Sequence, residues 1–123
     1  MASLIVTSGK SKGEYLPLGR RISVIGRAES LPLQVLDALV SRKHLRIKFD
    51  DATSQYLAED LDSKHGTFVN KHKISEPITL AEGDEILLGE TTLLFTDKDF
   101  DTQENALMHY KKFGEKERMT LME

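Results

Sequence analysis

HLRIKF, residues 44–49, alternates strictly, with apolar Leu45, Ile47 and Phe49 set between polar His44, Arg46 and Lys48. Successive side chains of a β-strand leave on opposite faces, so a period of two predicts a half-buried strand with one face in a core and the other in water. Working outward, similar short runs recur at 4–7, 14–18, 22–25, 56–60, 67–69, 78–80, 86–88 and 91–96. Turn residues separate them. Gly83 can supply positive φ between Leu80 and Ile86, and Gly89-Glu90 can close a two-residue hairpin that pairs 86–88 with 91–95. Many short strands without strand–helix–strand alternation predict an all-β fold, an antiparallel two-sheet β-sandwich. Phe49, Tyr56, Phe68 and Phe95 are assigned to its core.

The pattern changes after Asp97. Residues 102–113 are rich in helix formers and place Ala106, Tyr110 and Phe113 along one face, which predicts a short C-terminal helix ended by Gly114. The chain therefore divides into a sandwich over 1–97 and a helical extension over 98–123. Its 123 residues suffice for one core and are too few for two. With 39% hydrophobic and 30% charged residues it has the composition of a folded, soluble protein.

Composition also narrows the function. A net charge of −3 gives no general positive field, so broad nucleic-acid binding is not expected and any anion site must be local. No cysteine is present, which removes disulfides, thiolate metal sites and cysteine nucleophiles together. The early apolar run, 4–6, is too short for a leader or a spanning segment, so the expected address is cytoplasmic, away from any membrane.

Three clusters sit where strands hand over to loops: Gly26-Arg27, Ser41-Arg42-Lys43-His44, and Ser63-Lys64-His65-Gly66-Thr67. Guanidinium, ammonium and hydroxyl donors in one place suit a phosphate dianion and suit a neutral ligand poorly. Taken singly, Arg27, Arg42, Lys43 and Lys64 would read as solvated surface charges, and only their joint placement argues otherwise. Ser63 is read as a turn-capping hydroxyl. His44 is read as a packed, hydrogen-bonded histidine. His65, His72 and His109 lack ligand spacing, so neither a metal nor another cofactor is expected.

The ordered series IGR (25–27), SRKH (41–44), EDLDSKHGTFVN (59–70) and LAEGDEILLG (80–89) resembles the forkhead-associated (FHA) domain, a phosphothreonine-binding β-sandwich. The resemblance spans 4–96 and implies a non-catalytic module that docks onto segments phosphorylated by Ser/Thr kinases. It implies that Arg27 and Ser41 contact the phosphate, that Arg42 adds charge beside it, and that Lys64 and His65 face the peptide. Gly26, His44, Gly66, Thr67 and Asn70 would support the loops, with His44 bracing the loop behind Ser41 and Gly26 letting the backbone turn close to the ligand. Lys64 and His65 stand where the family usually has a hydroxyl residue and then asparagine. Lys71 stands where it usually has glycine, so the turn to His72 must take positive φ on a side-chain residue or use another turn type.

Two other readings compete. One keeps the sandwich but binds without phosphate, as a structural or self-association domain. The other is an enzyme built on Ser41 and His44, for which no third residue is evident to orient the base. Asp62, within the third cluster, would either oppose an incoming phosphate or neutralise Lys64.

Overall fold

The structure, a computed structural model, describes residues 2–97. The helix expected at 102–113 and the whole 98–123 extension lie outside the described residues. Two sheets face each other. One runs in the order β2 (Tyr15–Pro17), β1 (Ser3–Val6), β11 (Thr91–Thr96), β10 (Glu85–Leu88), β7 (Thr67–Val69), β8 (His72–Lys73). The other runs β4 (Leu33–Gln34), β3 (Ile22–Gly26), β5 (Leu45–Asp50), β6 (Gln55–Asp60), β9 (Ile78–Thr79).

The alternation at 44–49 becomes β5, which pairs on one side with β3 and on the other with β6 over its full length. Leu45 and Ile47 are fully buried while Lys48 is exposed, so the period of two is realised. Opposite, Ile86 and Leu88 of β10 and Leu93 and Phe95 of β11 supply the facing layer. Gly89 and Glu90 join β10 to β11 as a two-residue turn between the paired Leu88 and Thr91. Tyr56 closes one end of the core, packed between Phe49 and Phe95 with ring centroids 5.1 Å and 5.7 Å away.

Two expectations need correction, and two short strands are added. Phe68 is only half-buried and pairs with the exposed Leu87. Thr67 and Val69 take the inward positions of β7, so the same period of two sends Phe68 outward. The pairing is not wholly antiparallel, because β4 lies parallel to β3 through Ile25–Leu33 and Gly26–Gln34. Finally, β4 and β8 are strands of two residues each, too short to show any periodicity in the sequence.

The connections 27–44, 61–66 and 89–90 gather at one end of the sandwich, where β3, β6 and β10 finish and β5, β7 and β11 begin. The three clusters picked out in the sequence fall there.

Candidate functional site

The site is built on contacts between backbone segments. Gly26 ends β3 directly beneath the Ser41–Arg42 segment: a Cβ at this position would stand 2.2 Å from the Arg42 carbonyl oxygen and 2.9 Å from that of Ser41. Only glycine permits that approach. Its φ is not positive, so what requires glycine here is the close approach of the neighbouring loop. The next residues continue the contact, with Arg27 N–H donating to Ser41 O (3.0 Å) and Ala28 N–H to Arg42 O (3.2 Å).

Arg27 is exposed, and its Nε donates to Val40 O at 3.1 Å. That bond fixes the guanidinium by one nitrogen. Its two Nη groups have no partner among the described residues and remain as parallel donors facing solvent. Ser41 is half-buried, and its Oγ accepts from Lys64 N–H at 3.0 Å, so the hydroxyl proton is still available to donate. One hydroxyl thus joins the second cluster to the third.

His44 is fully buried behind this junction. Its Nδ1 accepts from Ser41 N–H (3.0 Å), which makes Nε2 the protonated nitrogen, donating to Gly66 O (2.8 Å). A single ring therefore ties the Ser41 loop to the Lys64–Gly66 loop. Both nitrogens are engaged with backbone, leaving none facing the Ser41 hydroxyl.

Asp60, which the sequence reading did not single out, organises the third cluster. Its carboxylate accepts from Ser63 Oγ, from Ser63 N–H (3.1 Å) and from Thr67 Oγ1 (2.7 Å), and it lies 3.9 Å from His44 Nε2. Burial acts to raise its pKa. The Ser63 and Thr67 hydrogen bonds and the nearby His44 together outweigh burial, and the carboxyl is held below its ordinary value. The available signal was an aspartate three residues before a serine at a strand end, the spacing of a side-chain-capped turn. Ser63 is accordingly a capping residue here, bonded to Asp60 through both its N–H and its hydroxyl.

Asp37 acts similarly on the neighbouring loop. It accepts from Leu39 N–H, Glu90 N–H and Thr91 Oγ1 at 2.8–2.9 Å, and these bonds, against the opposing effect of burial, lower its pKa. It clamps 37–40 to the β10–β11 turn.

Arg27, Ser41, Arg42, Lys64 and His65 thus share one end of the molecule, and Arg42, Lys64 and His65 are exposed. Beside them lies an open cleft of about 690 Å³ lined by Arg27, Arg42, Glu29, Gln34 and Leu36, among others. Asp62 has φ of 52° and forms no ion pair with Lys64. Gly66 and Thr67 are buried at the start of β7, beneath the third cluster. Asn70 is not brought to this end. It sits at the far end of β7, where its amide donates to Asp84 Oδ1 (2.9 Å) and accepts from Glu85 N–H (3.0 Å). Asn70 and Lys71 form the β7–β8 turn with φ of 50° and 71°, so positive φ is carried on two side-chain residues. Among the described residues no group of three or more histidines and carboxylates could hold a metal ion.

Comparison with known proteins agrees with this architecture. The family model of the FHA domain matches residues 23–89. The FHA domain-containing protein FhaB of Mycolicibacterium smegmatis is 30% identical over 90 residues, covering 73% of this chain and 57% of FhaB. The chain thus spans little more than half of that relative. Angiogenic factor with G patch and FHA domains 1 of Homo sapiens is 36% identical over 81 residues, or 59% of this chain and 11% of that protein. The FHA domain of an Arabidopsis thaliana hypothetical protein superposes with a TM-score of 0.74 at 28% identity, covering 82% of this chain and 88% of the other. A structure from a study of phosphothreonine-dependent FHA domain interactions gives 0.70 at 29% identity, over 80% and 98% of the two chains. The FhaA FHA domain, solved in complex with the intracellular domain of a second protein, gives 0.68 at 30%, over 77% and 99%. By the family match, the shared sandwich and the ordered loop motifs, this chain belongs to the FHA domain family.

Proposed function

We propose that this chain is a phosphothreonine-dependent docking module, binding partner segments after a Ser/Thr kinase has marked them, in the cytoplasm. The observation that carries the reading is the convergence of Arg27 and Lys64 on Ser41, Arg27 N–H bonding its carbonyl and Lys64 N–H its hydroxyl, with both Arg27 Nη groups left for a ligand. In this reading Arg27 gives parallel donors to two phosphate oxygens and Ser41 donates its hydroxyl to a third. Arg42 and Lys64 add charge beside them, and His65 lies against the peptide backbone. The similar FHA structures studied for phosphothreonine-dependent interactions, or solved with a partner domain, support the same role. Commitment of both His44 nitrogens to backbone favours binding over catalysis, since no base is left for Ser41.

A peptide library with fixed phosphothreonine and randomised flanks identifies a ligand. That peptide is then titrated in phosphothreonine, phosphoserine and unphosphorylated forms. Binding is expected only with phosphate, and the phosphothreonine form should be favoured by several-fold, since burying one methyl is worth about 1 kcal/mol. Equal binding by the unphosphorylated peptide refutes the proposal and favours the phosphate-independent interaction domain.

A further inference from the structure

The strand that delivers Arg27 has an open edge toward its other end. In an antiparallel ladder alternate residues bond one neighbour, and the residues between turn their N–H and C=O to the other side. Phe49 N–H donates to Arg21 O (3.2 Å), so Arg21 and Ser23 face β5 while Ile22 and Val24 turn away from it. On that side β4 meets β3 only at Ile25 and Gly26. The backbone groups of Ile22 and the N–H of Val24 therefore meet no strand among the described residues. A groove of about 380 Å³ runs along this stretch, with Ile22, Val24, Leu31, Pro32 and Leu33 as its apolar lining and Arg21 at its rim. Ile22 is 55% exposed. Lys48, its cross-strand partner on β5, adds a second exposed cation. The acids of this face are engaged elsewhere, Glu59 with Arg46 and Asp50 with Ala52 N–H at 3.0 Å. Arg21 and Lys48 form no ion pair among the described residues.

We propose that this edge is a second docking site for the phosphorylated partner, taking an extended segment with apolar residues at alternate positions and acidic residues at its ends. The site rests on the phosphothreonine reading above and adds a second stretch of the same ligand. Strand addition draws affinity from main-chain bonds and specificity from pockets for alternate side chains. The edge at Ile22 and Val24 supplies the first and the groove supplies the second. Charge selects the occupant. Acidic ends meet Arg21 and Lys48, whereas a two-fold contact with a second copy would set this positive patch against its own image. Distance selects the source. Ile22 lies five residues before Arg27, about 17 Å along an extended strand, which about six further residues of one ligand cover. Once the phosphothreonine is held, the second stretch acts at millimolar effective concentration, so a short edge suffices.

To test this, the tail Glu-Val-Gln-Val-Glu is attached to either end of the selected phosphothreonine peptide, about two or about eight residues from the phosphothreonine, and compared by calorimetry with matched Gly-Ser tails. About eight residues reach Ile22 and about two do not. From one of the two ends the longer form should bind about tenfold more tightly, the gain of a weak tail acting at millimolar effective concentration. The shorter form should show no gain. N-methylation of the three central tail residues, Ile22→Gln or Lys48→Glu should each remove most of the gain. Both protein variants alter exposed side chains, and both should bind the Gly-Ser form as wild type does. Phosphate-dependent binding with no gain from either end overturns the edge site and leaves the reading at Arg27 standing. Binding that ignores the phosphate overturns both. A gain that survives N-methylation overturns strand pairing. Self-association of the free protein that Ile22→Gln dissolves, followed by sedimentation, makes the occupant a second copy and likewise overturns the proposal.

Discussion

Replacing His44 with alanine should unfold the binding end before it touches any ligand contact. The ring is fully buried, and it supplies the acceptor for Ser41 N–H and the donor for Gly66 O. Each buried polar group left unpaired costs about 1–3 kcal/mol. Gly66 is buried and bears that cost in full, whereas half-buried Ser41 can recruit water and bears less. Loss of the ring also leaves a cavity, for which buried aromatic truncations cost about 3 kcal/mol or more in all. A loss of about 3–5 kcal/mol is therefore expected, a large part of the 5–15 kcal/mol typical of a domain. For a domain of this size the midpoint should fall by more than about 10 °C. Urea titration read by circular dichroism gives the free energy, and amide exchange locates the damage, which should concentrate at 41–44 and 63–67. A His44→Ala protein within about 0.5 kcal/mol of wild type would refute the tie between the two loops.

Other perturbations probe other joints. Gly26→Ala drives a methyl into the Arg42 carbonyl, so the Ser41–Arg42 loop must shift. A loss of about 1–3 kcal/mol together with weakened phosphopeptide binding is expected in a melt and a titration. Lys71→Gly removes a side chain from φ of 71°, relieving about 1 kcal/mol of left-handed strain, partly offset by glycine's greater chain entropy. The melting temperature should rise by a few degrees, and a fall would mean the turn does not carry that strain. Asp60 and Asp37 have depressed pKa values, so their stabilisation is complete above the unfolded value near 3.9 and is lost as pH falls below it toward the folded values. Melting temperature should be flat above about pH 5 and drop steeply below pH 4, with a shallower drop in Asp60→Asn.

Strand pattern and loop clusters were legible in the sequence because each rests on local chemistry. The alternation of Leu45, Ile47 and Phe49 needs only the period of a strand, and Gly83 and Gly89-Glu90 mark their turns by residue type. What escaped was chemistry decided by neighbours distant in the chain. Phe68 reads as core until β7 is set beside β10, when Thr67 and Val69 prove to be the inward pair. The need for glycine at Gly26 shows only when the Arg42 carbonyl oxygen is seen 2.2 Å from its missing methyl. Asp60 and Asp37 reveal their roles only through partners, and for Asp37 two of these lie more than fifty residues away. Asn70 follows the third cluster closely in sequence, yet β7 carries it to the opposite end of the sandwich.

The central claim is that Arg27 meets the phosphate. Calorimetric titration of the selected phosphothreonine peptide against wild type and Arg27→Ala, with thermal melts alongside, tests it most directly. Removing one partner of a desolvated charge pair costs roughly 2–5 kcal/mol, about thirtyfold to several thousandfold in affinity. The melting temperature should hardly move, because the backbone bonds of Arg27 survive the change and its exposed side chain gives the fold only the Nε bond to Val40 O. Arg42→Ala should weaken binding less. A folded Arg27→Ala protein that binds the phosphopeptide as tightly as wild type would contradict phosphate recognition at this site.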